Sequence, residues 1–147
     1  MLPTNLWDVQ PSFRSLYGMC VEPVCQDCGI TRTELDILLF LANNPKYDTA
    51  AEISEIRYLA KSHVSTSLKS LEQNGYIVKF SEGNDKRRIH LRLTKKADDV
   101  IREGRTRQSA FANIVMDGFD MEERQQLYSF LTRMKENIKN HLEEYAK

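Results

Sequence analysis

The stretch Asp48–Thr94, DTAAEISEIRYLAKSHVSTSLKSLEQNGYIVKFSEGNDKRRIHLRLT, decides the fold. It opens with Thr49-x-x-Glu52, the pattern in which a hydroxyl and a carboxylate three residues on satisfy each other's free amides at a helix start. The short helix this predicts has Ile53 and Ile56 inward, and Tyr58-Leu59-Ala60 reads as a turn. A second helix starts between Lys61 and Ser62 and runs to Asn74, where Gly75 stands at the position that favours a left-handed stop. Val64, Leu68 and Leu71 face inward. At about 100° per residue, Ser62, Thr66, Lys69 and Gln73 fall on the opposite side, with His63, Ser65 and Ser70 flanking them. A merely solvated face tends to be rich in Glu and Lys, whereas this one is short, polar and hydroxyl-rich.

Downstream, Ile77–Ser81 reads as a strand, Glu82-Gly83-Asn84-Asp85 as a turn and Ile89–Leu93 as a second strand. In the latter Ile89, Leu91 and Leu93 alternate with His90 and Arg92, the period-two signature of a half-buried strand. His90, on the outer side, is expected to be a bystander. Lys86, Arg87 and Arg88 crowd the descending edge of the hairpin. Helix, tight turn, helix and basic hairpin in this order form the layout of a winged helix-turn-helix. The expected fold class is therefore mainly α with a small β-hairpin wing, flanked by N- and C-terminal dimerisation helices.

On the N-terminal side, Thr31-x-x-Glu34 is another capping box. Leu35, Leu38, Leu39 and Ala42 form one apolar face of the helix it starts, and Asn44-Pro45 ends it. Before that, Leu6, Phe13, Leu16, Tyr17 and Val21 lie at loosely helical spacing. They predict a helix from about Pro11 to the region of Asp27, kinked or interrupted at Pro23 and stopped at Gly29.

On the C-terminal side Thr94 is a candidate N-cap. Ala97, Ile101, Gly104, Gln108, Phe111 and Val115 share one side of a long helix, and Asp117–Asp120, with Gly118, breaks it. Leu127, Leu131, Met134, Ile138, Leu142 (or His141) and Tyr145 then recur at steps of three and four along a last helix. Two long helices after a compact lobe have little of their own fold to bury against, so a second subunit is the expected partner. The predicted division is a lobe at 30–97 and a helical dimerisation region at 1–29 and 98–147.

The composition permits this. At 147 residues and 41% hydrophobic content the chain can bury one core. Its longest apolar run, Ile37–Ala42, is too short to span a bilayer, and the N-terminus shows no basic start followed by an apolar stretch. Three cysteines cannot all pair within one chain, which favours a reducing cytoplasm. The formal net charge is zero, but it is unevenly spread. Lys46–Lys96 holds 11 basic and 6 acidic side chains, against 10 and 15 in the remainder. A basic centre with acidic flanks suits a chain that touches phosphate with its middle. No Gly-rich phosphate loop, His-Glu-x-x-His or Gly-x-Ser-x-Gly occurs, so no enzyme, cofactor or metal is expected.

With these residues in view, the sequence resembles the MarR (multiple antibiotic resistance regulator) family of bacterial transcription factors. The resemblance is carried by Thr49-x-x-Glu52-Ile53, Lys61-Ser62-His63-Val64-Ser65, Leu71-Glu72-x-x-Gly75-Tyr76-Ile77, and Asp85-Lys86-Arg87-Arg88 followed at four residues by Leu93-Thr94. Flanking helices extend it over nearly the whole chain. Two positions depart: Thr66 stands where the family often has Arg, and Ala97 where it usually has Gly.

The resemblance implies a homodimeric repressor on a palindromic double-stranded DNA operator, with a small anionic or phenolic effector. It also implies that Arg87 enters the minor groove, while Asp85 holds the wing or pairs with Arg87 or Arg88. The DNA-contacting set is then Ser62, His63, Ser65, Thr66, Lys69, Lys86, Arg87 and Arg88. His63 alternatively serves as a cap or plain surface residue. For Cys20, Cys25 and Cys28 three readings stand: structural thiols, a redox switch, or metal ligands. Cys25-x-x-Cys28 supplies only two ligands, and nearby Glu22 and Asp27 oppose a lowered thiol pKa. The rival to DNA binding is a winged helix serving as a protein-protein interaction module.

Overall fold

The computed structural model describes residues 5–146. Its elements are α1 (Asn5–Cys28), α2 (Arg32–Asn43), α3 (Ala50–Arg57), α4 (Lys61–Gln73), β1 (Ile77–Phe80), β2 (His90–Leu93), α5 (Ala97–Val115) and α6 (Met121–Tyr145). The strands pair antiparallel from Ile77↔Leu93 to Phe80↔His90. The expected fold class stands: a mainly helical chain with a two-stranded wing. The chain divides into two units, Met1–Phe111 and Ala112–Lys147.

The helix boundaries follow from capping chemistry. Thr31 with Glu34, Thr49 with Glu52 and Asp120 with Glu123 form complete capping boxes at the starts of α2, α3 and α6. Gly29 (φ 64°) and Gly75 (φ 76°) adopt the left-handed conformation that ends α1 and α4. In each case the next residue reaches back five positions: Ile30 N–H donates to the Cys25 carbonyl and Tyr76 N–H to that of Leu71. These paired bonds satisfy carbonyls the helix end would otherwise leave open.

The core of the first unit gathers Val21 and Val24 of α1, Leu35, Ile37, Leu38 and Leu39 of α2, Ile53 of α3, Val64, Leu68 and Leu71 of α4, and Ile77 and Leu91 of the wing. α2 is more central than a one-faced amphipathic helix, since Ile37, Phe40 and Leu41 are buried as well. α5 approaches it at Gly104, where an added Cβ would stand 3.1 Å from Leu39 Cδ2 and 3.3 Å from Leu35 Cδ1.

Five expectations are corrected. α1 begins six residues earlier than Pro11 and runs unbroken through Pro23. Burial of Val21 and Val24 on either side of that proline holds the helix together where propensity alone would break it. The side chain of Leu6 lies outside the described residues. Ile56 is exposed, because an eight-residue helix offers room for one fully buried position, taken by Ile53. Ile89 is exposed too: it precedes the first ladder pair, so strand alternation does not govern it. Thr94 is no side-chain cap for α5. Its hydroxyl donates to the Gly75 carbonyl at 2.6 Å, tying the end of β2 to the end of α4.

In the second unit Gly118 (φ 80°) makes the turn before α6. Arg124 steadies it by donating to the carbonyls of Phe119 and Met116 at 3.1 and 3.0 Å. No residue of α6 is buried, and Leu131, Met134, Ile138, Leu142 and Tyr145 are all exposed. Among the described residues no helix is long and apolar enough to cross a membrane.

Candidate nucleic-acid interface

α4 is anchored by Val64, Ser67, Leu68 and Leu71, all buried. That anchoring turns Ser62, His63, Ser65, Thr66 and Lys69 outward, and each is exposed. Lys61, absent from the expected set, is exposed beside them at the first helical position. The start of α4 also differs chemically from the other starts. Its N-cap is Ala60, with no side-chain hydrogen bond, and its first turn holds no acid. The first amides therefore point outward with their partial positive charge uncompensated, as an anion requires. His63 does not cap the helix.

The turn before α4 carries Tyr58 at φ 52°, the one non-glycine residue with positive φ among those described. Ser54 Oγ donates to the Leu59 carbonyl at 2.6 Å and holds this turn closed.

In the wing loop, Asp85 Oδ1 accepts the backbone N–H of Arg87 at 3.1 Å. Asp85 thus shapes the loop through the main chain, as an Asx-type turn, and leaves the guanidinium of Arg87 projecting. Lys86 and Arg87 are exposed and, among the described residues, neither they nor Lys61 and Lys69 pair with a carboxylate. Arg88 differs from its neighbours. It lies 3.5 Å from Glu52 Oε1, an acid in the α3 cap, and Asp85 is not its partner. The ion pair is loose and solvent-exposed, so it orients the side chain more than it stabilises the fold.

Sequence reading missed a cluster where the wing's ladder meets its loop. His90 is no bystander: its side chain is only 15% exposed, and Nδ1 stands 2.8 Å from Asp48 Oδ1. Its ring stacks on Phe80 at 5.5 Å, and Arg92 lies over the same Phe80 ring. Glu52 Oε2 accepts from the Thr49 hydroxyl and from the amides of Asp48 and Thr49 at 2.9–3.1 Å. The available signal was the capping-box glutamate, which sequence places but whose second oxygen it leaves unassigned.

The cysteines are all free, Cys25 buried and Cys20 and Cys28 half-buried. Burial pushes the Cys25 thiol up, helped by the negative charges of Glu22 and Asp36. Burial likewise raises Cys28, with Asp27 and Glu103 adding to it. Neither setting generates a thiolate at neutral pH.

Residues 29–88 match the sequence profile of the MarR family. The chain is 27% identical over 137 residues to the HTH-type transcriptional regulator BilQ of Clostridioides difficile (strain CD3), covering 93% of this chain and 88% of that relative. Over this stretch the chain is similar to MarR-family regulators. MarR structures share its fold. A MarR protein from Peptoclostridium difficile DA00132 superposes with a TM-score of 0.81 at 21% identity, covering 96% of this chain and 91% of that one. A putative MarR family transcriptional regulator from Listeria monocytogenes, solved in complex with 26mer DNA, superposes with a TM-score of 0.82 at 21% identity over 92% of this chain and 89% of that one. The family and this curated relative are transcriptional regulators, not enzymes.

Proposed function

We propose that this chain is a MarR-family regulator, a sequence-specific DNA-binding repressor acting as a homodimer on a palindromic operator. The observation that carries the proposal is an uncapped, acid-free start of α4, a hydroxyl-lined outer face, and two wing cations, Lys86 and Arg87, that pair with no carboxylate among the described residues. Support comes also from the Listeria monocytogenes neighbour, whose structure contains DNA.

In this reading α4 enters the major groove. Ser62, His63, Ser65 and Thr66 meet base edges or phosphates there, and Lys69 anchors a phosphate. Arg87 reaches the adjacent minor groove, whose narrow A·T-rich stretches concentrate negative potential. Lys86 and Arg88 add charge to the wing. Residues 30–97 act as the DNA-binding lobe, and 1–29 with 98–147 as the dimerisation region. The exposed apolar stripe of α6 supports a second copy as its partner. Dimerisation would set two α4 helices about one turn of B-DNA apart, roughly 34–36 Å.

A small anionic or phenolic effector would act by preferring a spacing of the two lobes that DNA does not fit. The raised thiols of Cys25 and Cys28 favour a packing role for these two over a redox or metal one. A cytoplasmic location suits all of these roles.

Selection from random duplex DNA, followed by fluorescence anisotropy on the selected site, tests this. A twofold-symmetric site is expected. Arg87→Ala should weaken binding and flatten the salt slope by about two units, roughly one from each protomer. Failure to enrich any duplex, or unchanged affinity for Arg87→Ala, would favour a protein-interaction module instead.

A further inference from the structure

The wing's two strands pair over only four residues each, and the loop at 81–89 carries no ladder. A two-stranded hairpin of that length is marginal by itself. Where the wing arginine sits is therefore decided where the ladder ends and the loop begins. There, one residue holds β2 twice. The Asp48 carbonyl accepts the Leu91 N–H at 2.7 Å, and the Asp48 carboxylate lies 2.8 Å from His90 Nδ1. Because a carboxylate only accepts, Nδ1 must carry the proton in that contact.

Asp48 is itself fixed, since its amide donates to Glu52 Oε2 at 3.0 Å within the α3 cap. His90 in turn stacks on Phe80, its register partner in β1, so both strands are tied at one spot. The tie falls three residues from Arg87. Arg88, between them, is drawn toward the same cap by Glu52.

We propose that Asp48 and His90 are positioning residues for Arg87: they touch no DNA, and they hold the wing at the angle from which Arg87 reaches the groove. The proposal rests on the DNA-binding reading above. Its logic is that a recognition group must be held within roughly 0.5 Å of its productive place by neighbours that are themselves locked. α4 is locked by the core, whereas the wing is locked to α3 by this cluster.

The test is a double-mutant cycle in the full-length chain, read by anisotropy on the selected duplex: wild type, Arg87→Ala, His90→Phe and the double variant. Phe keeps the ring on Phe80 and removes the donor, while His90→Asn returns a nitrogen near the Nδ1 position. His90→Phe is expected to weaken binding about 5–10-fold, and the Arg87→Ala penalty should shrink at least about threefold in its background. His90→Asn should recover most of the loss. Circular dichroism checks the fold, and Asp48→Ala replaces His90→Phe in the cycle if the latter does not fold.

Additive penalties, or wild-type affinity for His90→Phe, would overturn the proposal while leaving DNA binding intact. A wild-type chain that binds no duplex would overturn both.

Discussion

The dimer can be tested on α6 alone, because its apolar stripe is exposed in the single chain. Leu131 and Ile138 lie seven residues apart on one face, 53% and 57% exposed. Covering that exposed half is worth about 1–1.5 kcal/mol for each side chain. Twofold symmetry repeats both residues, so Leu131→Ser with Ile138→Ser removes four such contributions. The loss amounts to about 4–6 kcal/mol, or a factor of about 10³–10⁴ in the dimer dissociation constant. The variant should leave the first unit's core untouched, since neither side chain belongs to it. Sedimentation velocity across a concentration series reads the effect directly, with circular dichroism confirming that helix content is kept. Operator affinity should fall with the dimer, and its dependence on protein concentration should become steeper. A doubly substituted chain that dimerises as tightly as wild type would refute the assignment of this stripe, and a monomeric wild type would refute the dimer itself.

Two further outcomes concern groups in the first unit. Burial raises the Asp36 carboxyl above its ordinary value despite the opposing charges of Arg57 and Arg32. A raised acid is penalised in the folded state once it ionises, so stability falls as pH rises from the unfolded pKa through the folded one. Asp36→Asn, which can still accept from Tyr17, should therefore raise the thermal midpoint at pH 7, and its advantage should vanish toward pH 4; an equal advantage at both pH values would contradict the burial argument. Cys25 should alkylate with iodoacetamide far more slowly in the folded chain than in urea, and peroxide should leave operator affinity unchanged. Loss of binding on oxidation, reversed by a thiol reductant, would restore the redox reading.

What the sequence made legible was chiefly chemistry that acts within a few residues. Thr31/Glu34 and Thr49/Glu52 mark their helix starts because both partners of each capping box lie within one turn. Gly75 marks a stop because few other residues tolerate its conformation. The inward face of α4 followed from periodicity, and its outward face followed from the inward one.

The misreadings at Pro23, His90 and Arg88 involve contacts between distant residues. Pro23 sits inside a helix because α1 packs Val21 and Val24 into the core, a fact no local preference contains. His90 was placed outward by alternation, yet an aspartate forty-two residues earlier meets it there. Arg88 was grouped with Lys86 and Arg87 as equivalent charges, but Glu52 distinguishes it. The candidate DNA-facing residues of α4 are legible as a set because they share one element, whereas the residues proposed to aim the wing, Asp48 and His90, come from segments joined only by folding.

The most direct measurement is the salt dependence of operator binding by the wild-type chain. With Lys61, Lys69, Lys86 and Arg87 from each of two protomers facing phosphate or groove, log affinity should fall steeply and linearly with log salt, by several units of slope. Affinity that is weak and indifferent to salt would contradict the claim that this surface is built for DNA.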